Sequence, residues 1–104
     1  MEKNTAEKQY EIAICVPTYN RAEAVHYMVK ELVSQIKDGA FHDVCVSISD
    51  NTEGRETEQA LEPFLQEPFV VYHRNEKNIG AFDNLWQATT QVEARYVWVM
   101  SDDD

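Results

Sequence analysis

The chain has 104 residues and a formal net charge of −10, from 19 acidic residues against nine Lys and Arg. This acidity argues against general binding to nucleic acid or anionic membranes, because phosphate groups demand a basic surface. The length predicts one domain over residues 12–104, after a flexible lead-in over 1–11. No apolar run approaches the roughly 20 residues that span a bilayer. Because the start is polar and lacks a signal-peptide pattern, we expect a cytoplasmic protein.

The first predicted unit is a strand followed by a helix. The apolar run 12–16 predicts a strand that stops at Pro17, since proline cannot donate to a β-ladder. Asn20 is the predicted N-cap of the helix, and Glu23 supplies the reciprocal acceptor of a capping box. Apolar residues then recur at helical spacing for about 16 residues, and Gly39 is expected to end the helix.

The remaining predicted elements continue the alternation of strand and helix. They are strand 44–49, helix 57–65, strand 69–73, helix 80–92 and strand 96–100. Pro63 is expected to break or kink the second helix. Five residues of the third helix are spaced to face the sheet, namely Phe82, Leu85, Trp86, Thr89 and Val92. Trp86 and Trp98 are both expected to be core aromatics.

Four strands alternating with three helices predict a Rossmann-like three-layer α/β/α fold with a four-stranded parallel sheet. A doubly wound strand order of 3-2-1-4 places the ends of strands 1 and 4 side by side. The apolar run 96–100 is expected to be buried on both faces of that sheet. Cys15 and Cys45 fall in strands without the spacing of a metal site, which predicts reduced core thiols.

Polar residues stand at three predicted strand ends, where ligands of open α/β sheets bind. Tyr19 offers a flat face for stacking on a base, and Thr18 offers a hydroxyl. Asp50 is able to accept the imide N–H of uracil or thymine. The acids 102–104 repel one another, so folding them together favours a bound Mg²⁺ or Mn²⁺. The alternative is that the acids form a solvated, frayed tail and that the other residues serve ordinary turns.

The first turn, residues 17–21, contains no glycine. A dinucleotide-dependent oxidoreductase needs glycines there so that the backbone can approach a pyrophosphate, and this role is disfavoured. The same absence weakens the case for a nucleotidyltransferase. A phospho-accepting receiver domain requires acids after strand 1 and an Asp after strand 3, and neither is present.

Four segments together resemble the donor-binding half of a family 2 glycosyltransferase with the GT-A fold. They are Ile-Cys-Val-Pro-Thr-Tyr-Asn-Arg at 14–21, Ser-Asp-Asn at 49–51, Arg-Asn-Glu-Lys-Asn-Ile-Gly at 74–80 with Asn84, and the apolar strand with its acids at 96–104. The resemblance covers nearly the whole chain from Ile12 onward. It implies that the fold is the N-terminal, nucleotide-sugar-binding part of a GT-A domain.

The resemblance also implies roles for single residues. Thr18 and Tyr19 are expected to contact nucleobase and ribose, Asp50 to read the base, and Asp102 to contact ribose. The implied nucleotide-binding set is Pro17, Thr18, Tyr19, Arg21, Asp50, Asn78, Gly80 and Asp102, with Arg74 and Lys77 near the phosphates. Asp103 and Asp104 are the implied ligands of Mg²⁺ or Mn²⁺. A register in which Asp102 and Asp104 form the Asp-x-Asp pair stays open.

The implied function is binding of a nucleotide-diphosphate sugar, with a UDP- or TDP-sugar favoured. Enzymes of this family supply the acceptor site and general base from residues downstream of the acidic motif, where this chain stops. We therefore expect donor binding with little or no turnover by these 104 residues alone. A non-catalytic nucleotide-binding or interaction module of the same fold is the alternative. An open edge along 96–101 also predicts self-association.

Overall fold

The computed structural model describes residues 9–39 and 42–102. Its strands are β1 (Gln9–Thr18), β2 (Val44–Asp50), β3 (Val70–Arg74) and β4 (Glu93–Val99). Its helices are α1 (Ala22–Lys37), α2 (Glu56–Leu61) and α3 (Ala81–Thr90), with a 3₁₀ turn at Glu62–Phe64. All strand pairs are parallel, and the order β3-β2-β1-β4 confirms the predicted topology. The break of the second helix at Pro63 is also confirmed.

Strand β1 extends beyond its predicted limits at both ends. It begins at Gln9, which pairs with Glu93 of β4, so the end of the predicted lead-in belongs to the sheet; residues 1–8 lie outside the described residues. At the other end Pro17 stays in the strand. The Thr18 carbonyl accepts a hydrogen bond from Asn51, the residue after β2. Because successive residues of a strand direct their backbone groups to opposite sides, the missing N–H of Pro17 lies on the β4 side. On that side the Met100 N–H donates to the Cys15 carbonyl, two residues before Pro17.

The main core lies between the sheet and helices α1 and α2. It is built from apolar residues that alternate along the strands and recur at helical spacing along α1: Ile14, Val16, Val46 and Ile48 from the sheet, with Val25, Val29, Leu32 and Val33 from the helix. Gly39 has φ 83° and ends α1 as predicted, because this left-handed conformation suits glycine.

The predicted capping box of α1 is wrong. The N-cap is Arg21, and its side chain makes no capping hydrogen bond. Asn20 instead adopts φ 54°, and its backbone N–H donates to the Thr52 hydroxyl at 2.8 Å. The first turn is therefore tied to the loop after β2, and this long-range contact replaces the local cap.

Helix α3 covers the second face of the sheet. Small residues line this face, chiefly Ala13, Cys15 and Cys45, and they admit Ala88 of α3 at full burial. The Ser47 hydroxyl adds a hydrogen bond of 2.7 Å to the Ala88 carbonyl. Both cysteines are buried thiols outside any disulfide, as predicted. Burial raises the pKa of the Cys15 thiol to about 11.

The predicted inner face of the third helix is wrong. The buried residues of α3 are Asn84 and Ala88, whereas Phe82 is 76% exposed and Trp86 is 63% exposed. The strand residues beneath α3 are small, and the helix packs close to them only where its own side chains are small as well. The large aromatic side chains turn outward.

The prediction that the last strand is buried on both faces is also wrong. Within residues 9–39 and 42–102, β4 pairs with β1 alone and forms the edge of the sheet. Tyr96, Val97, Trp98 and Val99 are each about half exposed, Trp98 at 55%. Because side chains alternate between faces, this exposure means that neither α1 nor α3 covers β4 fully. Among the described residues, no helix has the length and apolar character needed to cross a membrane.

Candidate functional site

A cleft of about 380 Å³ lies where the carboxyl ends of β1 and β2 meet the N-terminus of α3. The structure brings seven of the eight predicted nucleotide-binding residues to its walls: Pro17, Thr18, Tyr19, Arg21, Asn78, Gly80 and Asp102. Asn51, Ala81 and Asn84 complete the lining. Residues far apart in sequence therefore form one concave surface of mixed polar and apolar character.

The first turn presents a free aromatic face at the cleft. Tyr19 lines the cleft and remains 48% exposed. The contact between Asn20 and Thr52 fixes the backbone next to it, and the Thr52 hydroxyl lies 3.1 Å from that of Thr57. An anchored turn with an exposed ring suits stacking on a planar ligand.

Asp102 is a nearly buried carboxylate, only 8% exposed, in the wall of the cleft. The Thr18 hydroxyl donates to its Oδ2 at 2.6 Å, the short distance expected of a charge-assisted hydrogen bond. Arg21 Nε lies 3.8 Å from Oδ1. The Met100 N–H donates to the Cys15 carbonyl at 3.0 Å, which extends the pairing of β1 with β4 and delivers Asp102 beside Thr18.

Three buried asparagines, Asn51, Asn75 and Asn84, form the floor beneath the cleft. The Asn75 amide donates to the Asn51 side-chain oxygen at 2.8 Å and to that of Asn84 at 3.0 Å. Asn84 in turn donates to the Thr18 carbonyl at 3.2 Å, and Asn51 donates to the Gly80 carbonyl at 3.2 Å. Since the backbone carbonyls accept only, they fix the orientation of both amides. The network ties together the ends of three strands and the start of α3.

The start of α3 contributes the positive end of a helix dipole to the cleft. Gly80 is its N-cap with φ 93°, a conformation that disfavours every residue with a Cβ. The Asn78 side chain accepts from the Gly80 N–H at 2.8 Å. Ala81, the first helical residue, lines the cleft. Helix N-termini favour anionic groups such as phosphates.

Asp50 is the predicted nucleotide-binding residue that does not line the cleft. It is fully buried; Oδ1 accepts from the Thr52 N–H at 2.9 Å and Oδ2 from the Tyr72 hydroxyl at 2.7 Å. Burial, followed by the contact with Asp50, raises the pKa of Tyr72 above its ordinary value. Asp50 therefore holds the turn after β2, and its contact with a base stays a prediction. Arg74 likewise binds backbone carbonyls, those of Glu53 and Gly54.

The predicted metal ligands Asp103 and Asp104 lie outside the described residues. Over 9–39 and 42–102, no group of three His, Cys, Asp or Glu side chains is arranged to hold a metal ion. Asp102 places one carboxylate at the cleft, and a carboxylate oxygen suits Mg²⁺ or Mn²⁺. The described residues therefore supply chemistry that fits the predicted metal, but not a full ligand set.

A second, more apolar cleft of about 700 Å³ lies between α1 and β4. Tyr27, Met28, Leu32 and Trp98 line it, and Asp102 forms part of its wall as well. Trp98 is thus a cleft residue and not the core aromatic that its sequence context predicts. Asp102 separates a polar cleft from an apolar one.

Three residues of the cleft, Ala81, Asn51 and Asn84, lie outside the predicted nucleotide-binding set. The two asparagines belong to the segments that carry the family resemblance, but no role was predicted for them. The sequence position of each asparagine nevertheless indicates a buried polar contact. Asn51 directly follows a buried strand, and Asn84 lies one helical turn before Ala88, on the stripe that faces the sheet. A buried amide on such a stripe needs hydrogen-bond partners, which only other polar strand ends provide.

The fold and the cleft define the class of protein: a Rossmann-like α/β domain with a cleft at the carboxyl ends of its strands, where ligands of such sheets bind. The model of the family Glycosyl transferase family 2 matches residues 13–104, and the chain belongs to this family. It is similar to abequosyltransferase RfbV of Salmonella typhimurium, with 28% identity over 96 residues. The match covers 89% of this chain but only 28% of the length of that relative.

Proposed function

We propose that the cleft at the strand ends binds the nucleoside diphosphate of a nucleotide-sugar donor, from which the whole protein transfers the sugar to an acceptor. The observation that carries this proposal is the convergence of residues 17–21, 78–80 and Asp102 on one cleft in a member of a glycosyltransferase family. A structural role alone gives no reason for these segments to surround an open cavity.

The cleft offers separate features for each part of such a ligand. The exposed ring of Tyr19 is available to stack on the base. The N-terminus of α3 and the Arg21 guanidinium supply positive potential for the diphosphate. Oδ1 of Asp102 accepts no hydrogen bond from residues 9–39 and 42–102, and it is available to a ribose hydroxyl.

A divalent cation is the second part of the proposal. Asp103 and Asp104 would hold Mg²⁺ or Mn²⁺ beside the diphosphate. Such an ion supplies Lewis-acid neutralisation of the leaving nucleoside diphosphate. This acidic chain needs a cation to bind phosphate groups, because its net charge of −10 repels them.

The identity of the base is tested with a panel. The argument for UDP or TDP depends on Asp50, whose two carboxylate oxygens are occupied within the protein. We keep UDP and TDP as the favoured ligands and include CDP and GDP as comparisons. If CDP or GDP binds most tightly, Asp50 is not the residue that recognises the base.

Calorimetric titration of the 104-residue chain with this panel tests the proposal. We expect binding with Mn²⁺, loss of binding with chelator, and loss in Asp103→Ala. Asp38→Ala, which removes an exposed acid at the C-terminus of α1, is the matched control and should bind like the wild type. No binding of any nucleotide by the folded chain would refute the proposal.

We also propose that two copies of the chain associate through β4. In the described part of the chain no strand pairs with the outer edge of β4, and Tyr96, Val97 and Trp98 are exposed. In an antiparallel pair about a two-fold axis at Tyr96, residues 93–99 of the two copies would pair along the whole strand, with Val97 of one copy facing Arg95 of the other. Sedimentation should show a dimer that Val97→Lys weakens. Phe82→Lys, which charges an exposed apolar position on α3, should leave the dimer intact; a monomer at high concentration contradicts the proposal.

A further inference from the structure

The geometry points to Thr18 as a positioning residue that orients the Asp102 carboxylate for the ligand. This inference rests on the proposed nucleotide site. It differs from the expectation that Thr18 itself contacts the nucleobase. Thr18 is 2% exposed, and its hydroxyl proton is committed to Asp102 Oδ2 at 2.6 Å.

Thr18 is held firmly enough to act in this way. Its carbonyl accepts from the Asn51 backbone N–H at 2.9 Å and from the Asn84 side chain at 3.2 Å. Its Cα pairs with Asp50 in the ladder between β1 and β2. The residue is thus fixed by the amide network on one side and reaches Asp102 on the other.

The hydrogen bond from Thr18 determines which oxygen of Asp102 is left to accept a hydrogen bond from the ligand. With Oδ2 occupied by Thr18, Oδ1 is left for a hydroxyl donor in the cleft. Arg21 Nε, at 3.8 Å, is too distant for a hydrogen bond and does not compete for Oδ1. Without the Thr18 hydroxyl the carboxylate is free to rotate towards Arg21, away from this arrangement.

The test compares by calorimetry a substitution that removes the hydroxyl with one that keeps it. Thr18→Val removes the hydroxyl and should weaken binding of the tightest nucleotide of the panel about tenfold or more, the loss expected for one hydrogen bond to a charged group. Thr18→Ser keeps the hydroxyl and should bind within about threefold of the wild type. Ser47→Ala removes a buried hydroxyl outside the cleft and should leave affinity unchanged.

A double-mutant cycle separates positioning from a general structural role. In an Asp102→Ala background, Thr18→Val should cost little further affinity, because its target is already gone. Equal affinity of wild type and Thr18→Val overturns the inference, as does the full tenfold cost in the Asp102→Ala background. Unfolding of Thr18→Val while Ser47→Ala folds also overturns it, since the hydroxyl then acts in folding. Failure of the wild type to bind refutes the proposed function instead.

Discussion

The two strands that flank β1 lie in opposite surroundings. Every residue of β2 is buried, including the polar Ser47, Ser49 and Asp50. The last four residues of β4 are apolar and yet about half exposed. Burial in this sheet therefore follows position and not polarity. A central strand is covered by two helices and by neighbours on both sides, whereas an edge strand is not.

The difference has a second consequence, for hydrogen bonding. Polar groups buried at the end of β2 require partners, and they find them in Thr52, Tyr72 and the asparagine network. Exposed β4 carries no such requirement. The cleft therefore lies beside the end of β2, where hydrogen bonds fix the buried polar groups.

The largest expected effect comes from breaking the asparagine network. Asn75→Leu leaves the side-chain oxygens of Asn51 and Asn84 without the donor they share, and we expect a loss of about 3 kcal/mol in the free energy of unfolding. Urea denaturation measures this. Gln66→Leu, an equivalent change at an exposed position, should shift stability by less than about 0.5 kcal/mol. A similar small shift for Asn75→Leu would show that the network contributes little.

A smaller effect is expected at Asp50. Tyr72→Phe removes one donor from a buried carboxylate and should cost about 2 kcal/mol. The same denaturation experiment applies. Tyr27→Phe, at an exposed tyrosine of α1, is the control and should be neutral. If Tyr72→Phe and Tyr27→Phe have the same free energy of unfolding, the Tyr72 hydroxyl does not stabilise the buried Asp50 carboxylate.

The buried thiol of β1 predicts a pH dependence. Cys15 keeps its proton to about pH 11 when folded, whereas its ordinary pKa is 9.0. The unfolded chain releases this proton first, so the stability supplied by Cys15 is complete below pH 9 and falls as pH rises from 9 to about 11. Chemical denaturation at stepped pH should show this decline, and Cys15→Ala should flatten it. An unchanged slope in Cys15→Ala would contradict the assignment.

The smallest effect is expected on the exposed strand. Trp98→Ser should cost about 1 kcal/mol, well below the 3–5 kcal/mol typical of a core tryptophan. Thermal or urea unfolding measures the change. A cost of 3 kcal/mol or more would show that Trp98 is covered in solution and that β4 is not an open edge.

Much of the fold was predictable because apolar runs and turn residues act locally. The runs 12–16, 44–49 and 96–100 identified three strands, and alternation with helices indicated a parallel sheet, for which the doubly wound order 3-2-1-4 was predicted. The inner face of α3 was not predictable from spacing, because it depends on the small residues of the strands beneath it. The cap at Asn20 failed for a similar reason, since Thr52 lies far away in sequence.

The candidate site was predictable where the strand ends carry polar residues. Seven of the eight expected nucleotide-binding residues line the cleft, since the carboxyl ends of parallel strands meet at one edge. Asp50 departs from this pattern because its side chain points to the α1 and α2 side of β2, in line with Val46 and Ile48. Tertiary partners decide which polar side chain at a strand end stays open to a ligand.

Mapping of ¹H–¹⁵N chemical shifts in the 104-residue chain during titration with UDP and the diamagnetic ion Mg²⁺ tests the central claim most directly. We expect the largest shifts at residues 18–21, 78–81 and 102, around the polar cleft, with smaller shifts at Asn51 and Asn84. Shifts confined to Tyr27, Leu32 and Trp98 would place the ligand in the apolar cleft instead. That result would contradict a nucleotide site at the strand ends.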